Sequence, residues 1–287
     1  MHRGVFYLPY TCKMKDIQSI LLQRKQDATD ALPNKKQALT FIDRLIDVLY
    51  MDDDTQQIHS EELEKAFADL AQLLNALLGK ARISDETEDN WQVFYAALPD
   101  LYQKGMADAK ALFDSDPAAH SLQEVIHTYP GFYAMAIHRI SHYFWQHQIK
   151  LLARIFSEYV HSKTGIDIHP GAKIGMGFAI DHGTGIVIGE TSEIGDRVKI
   201  YQGVTLGAFS VSKTLAQNKR HPSIGDDVVI YSNATILGGT TLVGKGSIIG
   251  GSAWLTHSVP SNSVVFHENE IKVKDNNPFP EAIHFVI

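Results

Sequence analysis

The chain is nearly without cysteine: Cys12 is the single thiol in 287 residues. One cysteine excludes an intrachain disulfide and fits a reducing compartment. Cys12 itself reads either as a nucleophile or as a stray thiol near the terminus. No apolar run approaches the ~18 residues that a membrane helix needs. Basic residues are not in excess; the formal net charge is −7. That balance argues against nucleic acid as the main partner, because phosphate neutralisation needs a basic surface. It leaves room for a local basic pocket that takes a small phosphorylated ligand. The opening "MHRGVFYLPYTCKMK" lacks the core length and cleavage site of a secretory signal, and Met14 could equally be the start. A cytoplasmic protein is expected. "HRISH" at 138–142 sets His138 and His142 one helical turn apart but lacks the Glu of the metalloprotease motif, so both are expected in packing or an interface.

What the chain does contain is 44% hydrophobic and 21% charged residues, the mixture of an ordinary globular protein. Two rhythms divide it. Residues 1–162 form an expected helical domain. Leu39, Ile42, Leu45, Ile46 and Leu49 recur at helical spacing, as do Leu63, Phe67, Leu70, Leu74 and Leu77, with Gly79 as a stop. "LPNK" at 32–35 and "RISDETEDN" at 82–90 read as connections. A helix from about Trp91 to Leu112 carries Pro99, which predicts a kink or a split there. "DPAAHSLQEVI" predicts a further helix with Asp116 as N-cap and Pro117 at its first position. An amphipathic aromatic segment and a last helix to about His161 follow.

From 163 to 265 the period becomes six. Ile168, Ile174, Ile180 and Ile186 are six apart; after a slip of two, Ile188, Ile194, Ile200 and Leu206 follow; the beat resumes at Ile224, Ile230, Ile236, Leu242, Ile248 and Trp254. Six fits neither a helix nor an alternating strand. It fits a solenoid of short parallel strands, one hexapeptide to each side of a triangular coil, stacked ~4.8 Å apart. The apolar positions point inward, and glycines permit the corners. The fold class expected is therefore α+β: an all-helical N-terminal domain, then a left-handed parallel β-helix, then a tail over 266–287. "GAFSVSKTLAQNKRHPS", from Gly207 to Ser223, interrupts the beat and reads as an external loop, a usual place for function.

"GIDIHPGAKIGMGFAIDHGTGIVIGETSEIGDRVKIYQGVTLG" followed by "KRHPSIGDDVVIYSNATILGG" resembles the serine O-acetyltransferase family, closely over about 163–260 and more loosely back through "DPAAHSLQEVIHTYPGFYAMAIHRISHYFW". Hexapeptide repeats alone imply only an acyltransferase-like scaffold. The ordered set "DIHP", "DHGTG–IGET" and "RHP" is the specific part. The resemblance implies transfer of an acetyl group from acetyl-CoA to the hydroxyl of L-serine, as a step of cysteine synthesis.

Read alone, His182 is either a solvated outward residue or a base; an imidazole suits the removal of a hydroxyl proton near neutral pH. The resemblance implies the base, with Asp167 as the carboxylate that orients it. It also implies Asp116 and Asp181 for the serine ammonium, Arg220 for the serine carboxylate, and His221 as a second active-site imidazole. Asp116 has an alternative reading as a simple cap, and Arg220 and His221 as a plain loop end. Glu190 resembles a family acid of no assigned role. Gly207 and Ala208 could offer amides to pantetheine, and Lys213 or Lys219 could meet CoA phosphates. The loop before "RHP" is longer and poorer in glycine than the family's. The absence of a plausible nucleophile in the matched region predicts direct attack in a ternary complex, with no acetyl-enzyme; acetyl-CoA is the expected co-substrate, and no metal is expected.

Three other readings stand beside this one. One is an O-acetyltransferase for homoserine or a sugar. Another uses the same scaffold as a zinc carbonic anhydrase, with His169, His182 and His221 as ligands at a subunit interface. The third is an interaction protein: the tail ends on Ile287, and the resemblance implies that such an isoleucine docks into O-acetylserine sulfhydrylase. The resemblance further implies L-cysteine as a feedback inhibitor in the serine pocket, and a homotrimer or a dimer of trimers.

Overall fold

The computed structural model describes residues 17–27, 33–51, 60–79, 83, 89–209 and 218–268, without the side chains of 23–27. Cys12, Met14, Lys213, Ile287 and most of the tail lie outside the described residues. So do positions 210–217 of the external loop.

Seven described helices precede the strands: α1 (Ile17–Asp27), α2 (Lys35–Tyr50), α3 (Ser60–Leu78), α4 (Asn90–Ser115), α5 (Leu122–Thr128), α6 (Pro130–Gln146) and α7 (Lys150–Thr164). Local chemistry sets their ends. The Asn34 side chain accepts the Gln37 amide at the start of α2. Gly165 closes α7 in the left-handed region, at φ 70°. Phe41, Phe94, Phe144 and Phe156 meet with ring centroids 5.0–6.1 Å apart and make the aromatic centre of this half.

Two helical expectations are corrected. α4 runs through Pro99 without a break, so of the expected kink or split only the split is corrected. Proline costs the helix one amide donor, and buried Leu98 and Leu101 on either side hold the turn in place. Asp116 is not an N-cap, and Pro117 does not open a helix; Asp116 is the C-cap of α4. The stronger start signal lies five residues on. Ser121 Oγ accepts the Glu124 amide at 3.0 Å, while the Glu124 carboxylate accepts the His120 amide at 2.7 Å. This near-reciprocal capping begins α5 instead.

Fourteen short strands follow, all in parallel pairings: β1 (Asp167–Ile168), β2 (Lys173–Ile174), β3 (Ala179–Asp181), β4 (Val187–Ile188), β5 (Glu193–Ile194), β6 (Lys199–Tyr201), β7 (Thr205–Gly207), β8 (Ser223–Ile224), β9 (Val229–Ile230), β10 (Thr235–Leu237), β11 (Leu242–Val243), β12 (Ile248–Ile249), β13 (Trp254–Leu255) and β14 (Val264–Val265). They form three sheets in the orders β1-β4-β7-β10-β13, β11-β8-β5-β2 and β14-β12-β9-β6-β3. Each sheet takes every third strand, so the chain winds as a three-sided parallel β-helix. The inward column is apolar: Ile168, Ile188 and Leu206 stack on one side, Ile180, Ile200 and Ile230 on another, all at most 3% exposed.

The beat of six holds to Ile236 and then moves by one. Val243 and Ile249 are the buried residues of the last coils at 0% exposure, while Leu242, Ile248 and Trp254 face outward at 49%, 39% and 68%. The expected inward role of those three is therefore wrong. Inward Ile236 and inward Val243 stand seven residues apart instead of six, with the corner "GGTT" at 238–241 between them. Gly238 adopts φ 101°, and the buried Thr241 hydroxyl donates to the Leu237 carbonyl at 2.6 Å. Gly238, which has no Cβ, takes that conformation without steric cost.

The two halves are clamped together. Arg139 of α6 and Asp108 of α4 are both buried, at 7% and 0% side-chain exposure. The Arg139 guanidinium also donates to the Ile174 and Gly175 carbonyls, and Asp108 accepts the Phe178 amide at 2.9 Å. Near the start of α6, a Cβ at Gly131 would stand 2.1 Å from the Ile180 carbonyl, so glycine is what lets the helix reach strand β3.

Candidate active site

One group of candidate residues gathers at the junction of the halves. Strand β3 ends on Asp181, which is 9% exposed, and the next residue, His182, lies at the corner with its side chain 72% exposed. His182 has φ 58°, in the left-handed region; Arg197 and Asp227 take the same conformation at their corners, so it belongs to the coil as well as to this residue. His182 Nε2 is 3.8 Å from Asp181 Oδ1. The other carboxylate oxygen, Asp181 Oδ2, is 3.0 Å from Lys199 Nζ.

Asp116 arrives from the helical half. Its Oδ1 accepts the Ala118 amide at 2.8 Å, and its Oδ2 accepts the Tyr129 hydroxyl at 2.6 Å. The tyrosine bond, then the amide, hold the Asp116 carboxyl below its ordinary range; Lys199 and His182 are near enough to add to this. The same bond pushes the Tyr129 hydroxyl up to about 12. Burial works against the charge on Lys199, but its Tyr201 and Asp181 partners outweigh it and raise that group. Asp167 begins β1 and pairs with Val187, the residue that begins β4. It therefore lies along the prism edge that carries the His182 corner. Among the described residues, neither a hydrogen bond nor an ion pair joins Asp167 to His182; the polar neighbour of the imidazole is Asp181.

A second group lies on a different edge, where β4 turns to β5 and the external loop returns to β8. Arg220 contacts Glu190 at 2.5 Å. Burial pushes the Glu190 carboxyl up, and Arg220, with His169 and His221 nearby, more than offsets it. Thr191 organises this edge. Its Oγ1 accepts the Arg220 and His221 amides at 2.9 and 3.0 Å and lies 2.9 Å from His221 Nδ1. The Thr191 amide also donates to Nδ1. Nδ1 is thus the acceptor, and the proton of the neutral ring sits on Nε2. Burial, then Arg220, lowers His221 to about 4. The ring crosses Gly189, where a Cβ would stand 2.0 Å from Nε2.

Lys219 donates to the Thr191 carbonyl at 2.7 Å and lies 3.4 Å from Glu193. With Trp145, Gly171 and Glu190 it lines a cavity of about 300 Å³. Gly207 ends β7, its carbonyl accepts the Gly238 amide, and Ala208 leads into the loop. His169 accepts the Gly171 amide on Nδ1, and burial and then Arg154 lower it to about 4. Among the described residues, no group of three His, Cys, Asp or Glu side chains converges as a metal site. His138 is buried at 2% exposure, and His142 bonds the Pro170 carbonyl, so both pack as expected. Sequence reasoning missed Lys199, Tyr129 and Thr191. The first two are separated from Asp116 and Asp181 in sequence and brought to them by the fold, and no local motif marks them.

A helical cap on a three-sided β-helix, with an imidazole and carboxylates at one edge and a loop-borne Arg-His pair at another, defines a hexapeptide-repeat solenoid. Comparison with known proteins narrows the class. The family described as "Serine acetyltransferase, N-terminal" matches residues 48–136. A protein named serine acetyltransferase, plasmid, from Synechococcus elongatus is 48% identical over 202 residues, covering 69% of this chain. The chain spans 62% of that relative's length. The serine acetyltransferase of Bacillus pumilus is 49% identical over 158 residues, 55% of this chain and 70% of that protein. Among solved structures, serine acetyltransferase isoform 3 of Entamoeba histolytica, in complex with cysteine, aligns with a TM-score of 0.70 and 31% identity, covering 90% of this chain and 94% of that one. The chain belongs to the serine acetyltransferase family.

Proposed function

We propose that the protein is a serine O-acetyltransferase, moving the acetyl group of acetyl-CoA to the hydroxyl of L-serine and releasing CoA. The observation that carries this is the junction cluster: Asp116, held by Tyr129, and Asp181, held by Lys199, come from the two halves of the molecule and stand near the exposed His182. Two carboxylates suit an ammonium group, and an adjacent imidazole suits a hydroxyl proton.

His182 takes the serine hydroxyl proton as the oxygen attacks the thioester carbon. The tetrahedral intermediate collapses, the C–S bond breaks, and the proton returns to the CoA sulfur from the imidazolium. Asp167, on the same prism edge, is the carboxylate assigned to stabilise that cation. Arg220 exchanges part of its Glu190 contact for the serine carboxylate, which its paired donors fit. His221 is neutral, with Nε2–H available as a donor to serine or to the thioester carbonyl. No acetyl-enzyme is formed. Gly207, Ala208 and Lys219 flank the path assigned to CoA.

His182 and Arg220 lie on different edges of one prism, so a single chain cannot bring both to one small amino acid. A ring of chains can, if the edge carrying His182 in one copy meets the edge carrying Arg220 in the next. A homotrimer, alone or paired into a hexamer, is the assembly this geometry asks for. L-cysteine, which differs from serine only in thiol for hydroxyl, occupies the same site as an inhibitor competitive with serine. Docking of O-acetylserine sulfhydrylase is assigned to Ile287, and deleting that residue should abolish co-elution with it.

The test is CoA release from acetyl-CoA with L-serine, for the native chain and His182→Ala. The expected result is serine-dependent release that falls by roughly 10²–10⁴ in the variant. Release that is equal in the two proteins, or none with L-serine but turnover with homoserine or a sugar, overturns the assignment.

A further inference from the structure

Lys199 lies outside every motif that marks this site, yet it joins the site's two halves. It begins β6 and faces outward, one rung from β3, where Ala179 pairs with it and Asp181 pairs with Tyr201. Its Nζ donates to the Ser115 carbonyl at 3.0 Å, lies 3.0 Å from Asp181 Oδ2, and stands 4.7 Å from the Tyr201 ring centroid. The side chain is only 13% exposed. Ser115 is the last residue of α4, and Asp116 follows it. Asp181 is the last residue of β3, and His182 follows it. A single ammonium thus fastens the end of a helix to the end of a strand, each one residue from a group of the proposed site.

We propose that Lys199 is a positioning residue: it fixes the spacing of Asp116 and Asp181 across the junction of the two halves and so sets recognition of the acceptor's ammonium group. This rests on the serine reading above. The carboxylate of Asp181 is divided by it. Oδ2 is committed to Lys199, and Oδ1, the oxygen 3.8 Å from His182, is left to face the substrate. Asp116 is held from the other side by Tyr129 and Ala118, so its carboxylate moves only if the end of α4 moves. Lys199 ties down that end through a backbone carbonyl. Its cation also offsets the repulsion between two carboxylates that must approach the same small ligand. The Tyr201 ring covers the lysine's charge on a third side, a cation–π contact that restricts where Nζ can go.

The experiment compares steady-state kinetics of the native chain, Lys199→Met and Lys199→Arg, alongside amide hydrogen exchange over 115–119 and 181–184. Lys199→Met should raise the KM for L-serine about tenfold or more while the KM for acetyl-CoA stays within about twofold, a split that general destabilisation does not produce. Lys199→Arg, which keeps a cation and donors, should restore most of the serine KM. Exchange at both segments should quicken in Lys199→Met alone. If Lys199→Met does not fold, Lys199→Gln, which keeps a donor without the charge, is read in the same way. An unchanged serine KM, or parallel rises for both substrates, overturns the proposal. If the native chain fails to acetylate L-serine, the functional reading falls. The tether then stands or falls on exchange alone, with unchanged exchange rejecting it.

Discussion

Arg139 and Asp108 share two hydrogen bonds, Nε to Oδ2 at 3.0 Å and Nη2 to Oδ1 at 2.9 Å, inside the seam between the helical half and the β-helix. The pair is also satisfied outside itself, by the Ile174 and Gly175 carbonyls and the Phe178 amide. Those partners form the corner that leads into β3, so the pair holds the strand on which Asp181 sits. Removing one member of such a pair leaves a buried charge without its counterion. Arg139→Met should cost about 3–5 kcal/mol of unfolding free energy, read by urea denaturation. A loss under about 1 kcal/mol would show that water or a neighbouring side chain replaces the guanidinium.

The shifted phase of the last coils gives a comparison between adjacent residues of the same type. Ile249 is fully buried and Ile248 is 39% exposed. Ile249→Ala should cost about 2–5 kcal/mol, and Ile248→Ala clearly less, because only the first opens a cavity. Equal losses, or a reversed order in thermal denaturation, would return the inward column to the unbroken beat of six.

Burial lowers four described imidazoles, His138, His142, His169 and His221, and makes the fold sensitive to acid. His169 and His221 are each held near about 4 in the folded chain, against an ordinary 6.5, chiefly by burial. The folded state therefore binds fewer protons than the unfolded chain between those values. Stability should be full above about pH 6.5 and should fall as pH drops towards about 4, by at most ~1.4 kcal/mol per pH unit for each ring. Urea midpoints measured across this range for the native chain and His221→Gln check the slope, which should be shallower in the variant. An identical slope would mean that His221 titrates alike in both states.

Gly189 is the floor beneath His221. A methyl group there would overlap the ring. Gly189→Ala should displace the imidazole from the Thr191 amide, cost about 1–3 kcal/mol, and lower turnover. Full activity with native stability would show that the ring position matters neither to the fold nor to the site.

The solenoid was legible in the sequence because each coil repeats one rule: every sixth residue is apolar, so errors at single positions do not hide the period. The slip after Ile236 was not legible, since Leu242, Ile248 and Trp254 keep a plausible apolar beat while the residues that turn inward, Val243, Ile249 and Leu255, are apolar too. Only the seven-residue step from Ile236 to Val243 decides between the two columns. Asp116 misled in a similar way. "DPAA" is a good helix start in isolation, but the Ser121–Glu124 pair is a better one nearby, and a carboxylate freed from capping is instead bound by Tyr129. His182, Asp181, Arg220 and His221 stood out in the motifs. Their partners Lys199 and Tyr129 did not, because tertiary packing alone brings them together; Thr191 closes the "IGET" motif, but its bonds to Arg220 and His221 form only in the fold.

The external loop leaves the stack between β7 and β8, yet the coils on either side remain in register: Thr205 pairs with Thr235, and Ile194 with Ile224. Contour length and stacking are thereby uncoupled at that point. A lineage can lengthen, shorten or rewrite the segment without disturbing a single rung. Insertions at this point leave the pairing of the coils above and below it as it is.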